Sequence, residues 1–311
     1  MTGIPKFDLR DFAADQGGNK SEFAQAFGEA FRDYGFVIVS GHGVPDKAIN
    51  DAARNASKFF QLEDAIKKRY FRPEYVGRIS YTKNFEQAVG AKEVDKKEEW
   101  FIRLRLPKDD PLAATVRNTF IVPELPKFQP AAINLFEAFE KATKDVMRPL
   151  SLYMGLEENW FDDKFDHSNS SMRLLHYPTA GTAASHLDLN FLTWLRANKA
   201  GLYVTDRKGE EHAVVAKKGE LILNGGMMLG LMTNENMKPS WHRVAAEEPR
   251  DTIVFFVHPN HEFELAPLPK FENEVLTHKP HYFPEDGKPI TAQDFLIKEV
   301  MKTMPKNPAP K

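Results

Sequence analysis

The chain of 311 residues contains no cysteine and carries almost no net charge. The lack of cysteine excludes disulfides, thiol nucleophiles, iron–sulfur clusters and cysteine-bound zinc, so any metal must be held by histidine, aspartate or glutamate. The 42 Lys and Arg residues against 44 Asp and Glu give a net charge of −2. This balance lacks the basic excess that is typical of nucleic-acid-binding proteins. We therefore expect a small-molecule partner and no nucleic acid.

Long apolar segments are also lacking. The longest apolar run, residues 221–232, is interrupted by Asn224 and is too short to cross a bilayer. The first residues show no apolar stretch of the kind found in a signal peptide. We expect a cytoplasmic protein that makes no membrane contact.

The residues that are present suit a folded globular protein, with 42% hydrophobic residues, 28% charged residues and 24 phenylalanines. Helical spacing of apolar residues predicts helices over 21–34 and 131–153, with a short buried strand over 36–39. After residue 170 the pattern changes to short apolar runs separated by Gly, Asn and Pro, which indicates a jelly roll or sandwich. A last helix is expected over 292–303.

The predicted fold is mainly β with α, with a jelly-roll core, an N-terminal α/β cover and a C-terminal helix. We divide the chain into four regions on this basis. These are an N-terminal α/β region (1–125), a long supporting helix (126–165), the jelly-roll core (166–265) and a C-terminal extension with a helix (266–311).

Among the ten histidines, His186 alone has an acidic residue, Asp188, two positions further on. Side chains two apart on a strand point to the same face, so this pair predicts two ligands for one metal ion. His242, at the start of a later strand-like run, would complete the two-histidine, one-carboxylate triad of non-haem Fe(II) enzymes. The alternative is that these residues serve only a strand end and a turn.

A second polar pair opens the apolar run 253–257. Arg250 and Thr252 share one face of the predicted strand. A guanidinium beside a hydroxyl is well suited to bind a carboxylate, because the arginine offers two parallel donors. A surface arginine at a strand end is the alternative.

Together these motifs resemble the isopenicillin-N-synthase-like branch of the Fe(II)/2-oxoglutarate-dependent dioxygenases, over about residues 4–265. The resemblance rests on the triad, the Arg250-x-Thr252 pair, residues 173–178, and the N-terminal segments 34–36 and 41–45. Residues 219–224 and 233–234 are also similar to a family segment, although Gly225-Gly226 stands where the family has Gly-Asp.

The resemblance implies a double-stranded β-helix, bound Fe(II), and 2-oxoglutarate and O2 as cosubstrates. It also implies oxidation of a C–H bond in a small molecule while 2-oxoglutarate is converted to succinate and CO2. The implied Fe(II) ligands are His186, Asp188 and His242. The implied 2-oxoglutarate contacts are Arg250, Thr252, Tyr177 and Arg173.

Two groups of residues are predicted to line the substrate pocket. Asn190, Leu192 and Trp194 continue the alternation from His186 and Asp188 and would face the metal, unless they belong to the core. Arg78 and Tyr81 belong to a polar segment, residues 78–105, that relatives use to contact substrate, and its basic residues would favour an anionic molecule. The alternative for this segment is a solvated loop.

Three other functions stay open at this point. Some relatives bind a substrate carboxylate with the same Arg and hydroxyl pair and do not consume 2-oxoglutarate. A non-catalytic regulatory protein with a structural metal, and a hydrolytic zinc enzyme, are weaker alternatives. Formation of succinate from 2-oxoglutarate separates the first of these from the oxygenase.

Overall fold

The computed structural model describes residues 3–14, 20–72, 79–85, 94–103, 121–166, 168–274, 276, 279–284 and 286–303. The N-terminal elements are β1 (Lys6–Asp8), α1 (Leu9–Ala13), α2 (Lys20–Tyr34), β2 (Phe36–Ser40), α3 (Asp46–Phe60), α4 (Asp64–Lys68), β3 (Ser80–Lys83) and β4 (Glu98–Arg103). A long helix, α5 (Phe128–Tyr153), follows.

The second half of the chain is mostly strands. Its elements are β5 (Ser171–Tyr177), β6 (Gly181–His186), β7 (Leu192–Ala197), β8 (Leu202–Thr205), β9 (Glu211–Val214), β10 (Leu221–Gly225), α6 (Met227–Met232), β11 (His242–Ala246), β12 (Arg250–Val257), β13 (Glu264–Leu265), a short 3-10 helix (Pro269–Phe271), β14 (Ile290–Thr291) and α7 (Ala292–Thr303). None of the described helices is long and apolar enough to cross a membrane.

Two sheets face each other and form the predicted jelly roll. The large sheet has eight strands in the order β1-β2-β10-β7-β12-β5-β4-β3, and the small sheet has four in the order β6-β11-β8-β9. Buried residues from both sheets pack together in the space between them. They are Phe36, Ile38, Leu175, Tyr177, Leu195, Leu202, Val204, Val214, Ile222 and Val254, with Ile4 from the N-terminus.

The outer face of the large sheet is covered by helices. α5 packs against α2, α3 and β12. The rings of Phe136 and Phe139 lie 4.9 and 5.2 Å from the ring of Phe255 on β12. Such aromatic contacts hold the helix layer on the sheet, and they account for the many phenylalanines of the sequence.

The predicted N-terminal region contributes strands to the same large sheet. β2 pairs antiparallel with β10, and β4 pairs antiparallel with β5. The sheet therefore continues across the sequence boundaries that we drew at residues 125 and 165.

The terminal helix α7 has the predicted bounds, 292–303. Thr291 precedes it, and its Oγ1 accepts a hydrogen bond of 3.1 Å from the backbone N–H of Asp294. This bond satisfies one of the free N–H groups at the start of a helix.

Candidate metal and cosubstrate site

Three predicted ligands converge at one end of the space between the sheets. His186 ends β6, and His242 lies opposite it at the start of β11. The Nε2 atoms of His186 and His242 lie 3.9 and 3.7 Å from Oδ1 of Asp188. One ligand atom from each of the three residues lies within 4.8 Å of the other two, so a single ion would reach all three.

Both imidazoles are held in the orientation that a metal requires. Nδ1 of His186 lies 2.9 Å from the carbonyl oxygen of Ala184, and Nδ1 of His242 lies 3.1 Å from that of Ser240. Each Nδ1–H donates to its carbonyl, so the lone pair is on Nε2 and points at the cluster.

Asp188 is fixed through one of its two oxygens. Thr193 Oγ1 and Asn224 Nδ2 donate to Oδ2 of Asp188 at 2.6 and 2.8 Å. Thr193 on β7 and Asn224 on β10 are directly opposite each other in the large sheet. Because both donors bind Oδ2, Oδ1 remains on the histidine side of the carboxylate.

The electrostatics of the cluster suit a divalent cation. Burial by itself would raise the pKa of Asp188, but His242, His186 and the hydrogen bonds from Thr193 and Asn224 lower it below its usual value. Burial lowers the pKa of His242 to about 4. The site therefore offers an ionised carboxylate and a neutral imidazole at neutral pH, as metal binding needs. The His186 side chain is 41% exposed and opens the cluster to one side.

Gly226 allows the loop that carries Asp188 to approach β10 closely. A Cβ atom at Gly226 would lie 2.0 Å from the carbonyl oxygen of Asn190. The next residue, Met227, donates its N–H to the carbonyl oxygen of Asp188 at 2.8 Å. Gly226, which stands where the family has aspartate, thus lies where its backbone contacts the backbone of Asn190.

Arg250 and Thr252 face the same interior space. They lie on the same face of β12 as Val254, which belongs to the core between the sheets. Arg250 lies opposite Tyr177 on β5. Arg250 is 2% exposed. Within the part of the chain that the structure describes, its Nη2 and the Oγ1 of Thr252 have no hydrogen-bond partner.

These two atoms fit a carboxylate of a small molecule. A buried polar group without a hydrogen-bond partner lowers the stability of the fold by about 1–3 kcal/mol, and by more when the group is charged. A protein therefore rarely keeps two such groups on one strand face without a ligand that pairs with them. Burial also raises the pKa of Tyr177, which keeps its hydroxyl protonated beside the guanidinium. The residues present therefore fit both Fe(II) and a dicarboxylate such as 2-oxoglutarate.

The structure places two predicted pocket residues on the opposite face of the sheet. Trp194 donates its indole N–H to Thr143 Oγ1 of α5 at 2.9 Å, and Leu192 belongs to the same helix-facing core. The prediction that they face the metal is wrong, because β6 lies in the small sheet and β7 in the large one. The irregular segment 187–191 between them breaks the alternation.

Asn190 is buried but lies near the site. Its Nδ2 donates to Thr193 Oγ1 at 3.0 Å and also to the carbonyl oxygen of Leu192. Asn190 thus supports the hydroxyl that binds Asp188.

Tyr81 is also turned toward the helices. Its hydroxyl donates to Glu98 Oε2 at 2.7 Å, and its ring packs on Phe59 of α3. Its neighbour Thr82 faces the interior and donates to Glu99 Oε1 at 3.0 Å. The Tyr81 side chain therefore packs on the helix side, in contrast to the prediction that it lines the substrate pocket. Arg78 lies outside the described residues.

Arg173 lies in the interior, where its contacts include three residues of the large sheet. Its Nη1 is 3.3 Å from Oε2 of Glu99, and its guanidinium lies over the rings of Phe101 and Phe256. The sequence motifs do not predict Glu99, Thr193 or Asn224 as site residues. The similarity of residues 219–224 to a family segment is the one sequence signal for Asn224.

Two family models match the chain. Residues 4–125 match the N-terminal domain described as "non-haem dioxygenase in morphine synthesis", and residues 168–259 match the 2OG-Fe(II) oxygenase superfamily. The two matches together span more than half of the sequence. The chain belongs to the 2-oxoglutarate/Fe(II) oxygenase superfamily, in its isopenicillin-N-synthase-like part.

Individual relatives agree with this assignment. The chain is 27% identical over 299 residues to a 2-oxoglutarate-Fe(II) type oxidoreductase of Aspergillus fumigatus, covering 89% of this chain and 88% of that protein. It is 25% identical over 279 residues to gibberellin 20 oxidase 1 of Arabidopsis thaliana, covering 85% of this chain and 72% of that protein.

Solved structures are similar over nearly the whole chain. A 2OG-Fe(II) oxygenase family protein of Caulobacter crescentus superposes with a TM-score of 0.82 at 28% identity, covering 97% of this chain and all of that one. A Neurospora crassa protein, solved at full length in complex with alpha-KG, has the same fold, with a TM-score of 0.80 at 22% identity and 96% of both chains covered. The protein is a 2-oxoglutarate-dependent dioxygenase with Fe(II) and 2-oxoglutarate as cofactor and cosubstrate.

Proposed function

We propose that His186, Asp188 and His242 hold Fe(II), and that Arg250 and Thr252 bind the distal carboxylate of 2-oxoglutarate during oxidation of a C–H bond in a small molecule. The observation that carries this assignment is the convergence of three ligand atoms within 4.8 Å, in the same interior as a buried guanidinium. When bound, Fe(II) supplies O2 activation coupled to the conversion of 2-oxoglutarate to succinate and CO2.

The protein's own residues position the reactants. Thr193 and Asn224 hold the ligand carboxylate of Asp188 at one oxygen. Arg250 and Thr252 orient the cosubstrate from β12, and Tyr177 adds a protonated hydroxyl beside Arg250. The apolar residues between the sheets exclude water around these groups, which strengthens their electrostatic interactions.

The relatives support a small-molecule substrate. The Neurospora crassa protein has also been solved with thymine, and a JOX2 structure contains 2OG, Fe and JA. One relative carries the name gibberellin 20 oxidase. These molecules differ widely, so they support a small substrate for this chain but do not identify it.

Anaerobic titration with Fe(II) tests the metal assignment. We expect His186→Ala to lose at least ~10-fold in Fe(II) affinity, because one of three protein ligands is removed. His176→Ala is the matched control, since His176 binds Asp251 at 2.7 Å and stacks on Phe60 on the helix side of the sheet. Unchanged Fe(II) affinity in His186→Ala would refute the assignment.

Succinate measurement tests the cosubstrate assignment. We expect the Fe(II)-loaded enzyme to form succinate from 2-oxoglutarate under O2, and His186→Ala to form none. Substrate oxidation without succinate would instead support an iron oxidase that does not consume 2-oxoglutarate.

A further inference from the structure

A second polar group, the Arg173–Glu99 pair, lies in the interior near the proposed metal site. The inference drawn from it rests on the proposed function. On the interior face of the large sheet, side chains of four adjacent strands lie in rows. The row at the metal end is Thr193, Phe256, Ser171 and Arg103. The next row is Leu195, Val254, Arg173 and Phe101, and the third is Ala197, Thr252, Leu175 and Glu99.

Arg173 therefore lies between the metal end and the Thr252 row. It is one same-face step, about 7 Å, from the row of Thr193, and two strand spacings, about 10 Å, from β7. Phe256 connects the two places, because it lies opposite Thr193 and its ring is 5.2 Å from the Arg173 guanidinium. A molecule of one ring bound at Arg173 would extend toward the metal ligands.

Arg173 and Glu99 form a donor and an acceptor side by side. Nη1 of Arg173 is 3.3 Å from Oε2 of Glu99, and the Glu99 side chain is 3% exposed while that of Arg173 is 22% exposed. The Phe101 ring lies 4.6 Å from the guanidinium, and Phe256, which is half-buried, borders it as well. The pair thus has flat apolar surfaces around it.

The charges around this pair include both signs, and Arg103, whose guanidinium lies 5.3 Å from the Phe101 ring, adds a positive charge on the same face of β4. Lys97 Nζ lies 3.9 Å from Oε2 of Glu99 and 3.6 Å from Oδ2 of Asp95. The buried carboxylate of Glu99 would repel an anionic group brought against Arg173, and such repulsion is costly in a poorly solvated site. Directly at Arg173, the adjacent carboxylate of Glu99 therefore favours a neutral ligand group, in contrast to the anionic substrate that we expected from the basic residues of segment 78–105.

We propose that Arg173 and Glu99, bordered by Phe101 and Phe256, recognise the amide edge of a neutral, planar substrate. In a cyclic amide the carbonyl and the N–H lie on the same edge of the ring. Arg173 donates to the carbonyl oxygen, Glu99 accepts from the N–H, and the ring packs on Phe256 with its far side toward the metal. Arg173 and Glu99 are then specificity-determining residues of the oxygenase.

Binding of three probes of similar size tests this proposal. The probes are 2-pyridone, N-methyl-2-pyridone, which lacks the N–H, and benzoate, which is anionic. Each is titrated calorimetrically into the enzyme loaded with Fe(II) and 2-oxoglutarate under argon, so that no turnover occurs. We expect 2-pyridone to bind at least ~10-fold more tightly than either other probe, because N-methyl-2-pyridone cannot donate to Glu99 and its methyl group would crowd the carboxylate, while benzoate would bring a second negative charge against it.

Variants separate recognition from folding. Glu99→Gln should shift the preference from 2-pyridone toward benzoate by ~10-fold or more, because the repelling charge is removed. Arg173→Gln should weaken 2-pyridone binding and leave Fe(II) binding unchanged. Arg243→Gln is the matched control, since Arg243 pairs with Glu211 at 2.6 Å and lies over Tyr203 in an exposed pair of the same chemistry.

Several results would overturn the proposal. These are tighter binding of benzoate by the wild type, equal binding of 2-pyridone and its N-methyl form, no 2-pyridone binding at millimolar concentration, or an unchanged preference in Glu99→Gln. Failure of the proposed function is distinguishable, because it appears as lost Fe(II) or 2-oxoglutarate binding before any probe is added.

Discussion

At the residue scale, the two oxygens of Asp188 have different tasks. Oδ2 accepts from Thr193 and Asn224, and Oδ1 faces the two histidines. Hydrogen bonds of this kind around a metal ligand keep it oriented and ionised. The orientation of Asp188 therefore depends on the Thr193 hydroxyl of β7 and the Asn224 side-chain amide of β10.

Thr193→Val should weaken Fe(II) binding by about 10- to 100-fold, because it keeps the side-chain shape and removes the donor to Asp188. Thr193→Ser should restore most of the affinity, which loss of packing alone would not predict. The control is Thr143→Val, a buried threonine of α5 whose Oγ1 donates to the carbonyl oxygen of Phe139. Anaerobic Fe(II) titration measures all three, and equal affinity in Thr193→Val and wild type would contradict the assigned role.

The sequence predicted the three candidate ligands, which the structure brings together, but not the residues that orient Asp188. His186 and Asp188 are close in sequence, and both residue types are metal ligands in their own right. Thr193 and Asn224 are common polar residues whose contact depends on the pairing of β7 with β10. Only long-range strand register brings them to Asp188, and a local pattern does not contain that register.

At the element scale, β7 separates the catalytic interior from the helix layer. Thr193 and Leu195 face the interior, whereas Trp194 lies among α5 residues and donates to Thr143. The predicted strand was correct, but its orientation was wrong, because the segment 187–191 moves the chain from one sheet to the other.

Trp194→Phe should therefore lower stability without changing the site. Loss of the indole leaves Thr143 without its donor and opens a small gap, at a cost of roughly 1–3 kcal/mol in the free energy of unfolding. The Fe(II) and 2-oxoglutarate affinities of the folded variant should match those of the wild type. Urea unfolding and calorimetric titration check both, and a ten-fold loss of either affinity would show that Trp194 does act on the site.

The loop after α6 carries a half-buried acid, Glu235. Asn234 donates to the carbonyl oxygens of Phe271 and Glu274 at 3.2 and 3.1 Å, so the loop holds the C-terminal extension. Glu235 contacts the hydroxyl of Tyr282, and burial raises the pKa of Glu235 from 4.5 to about 7. The folded state thus binds this proton more tightly than the unfolded chain does.

Ionisation of Glu235 should therefore cost stability as the pH rises. The carboxyl favours the fold fully below about pH 4.5, and its contribution is lost between about pH 4.5 and 7, by on the order of 3 kcal/mol. Glu235→Gln should remove this loss, so its free energy of unfolding relative to wild type should rise from pH 5 to pH 8. The exposed Glu272→Gln is the control, and a constant difference between Glu235→Gln and wild type over this range would contradict the prediction.

At the scale of the whole molecule, the jelly roll was predictable and its cover only in part. Short apolar runs from 172 to 257 predicted the barrel strands, and the helix periods over 21–34 and 131–153 predicted α2 and most of α5. That β2 pairs with β10 and β4 with β5 could not be predicted, because these partners are far apart in sequence. The result is one sheet that carries Arg250 and Thr252, which we propose bind the cosubstrate, together with Thr193 and the Arg173–Glu99 pair.

The central claim is that the carboxylate of 2-oxoglutarate binds to Arg250 and Thr252, and calorimetric titration of 2-oxoglutarate into the anaerobic Fe(II) enzyme tests it most directly. We predict that Arg250→Gln weakens 2-oxoglutarate binding by about 10- to 100-fold, which corresponds to loss of a charge-assisted hydrogen bond. Fe(II) affinity should stay unchanged in this variant, and Arg243→Gln should bind 2-oxoglutarate like the wild type. Wild-type affinity for 2-oxoglutarate in Arg250→Gln would contradict the claim.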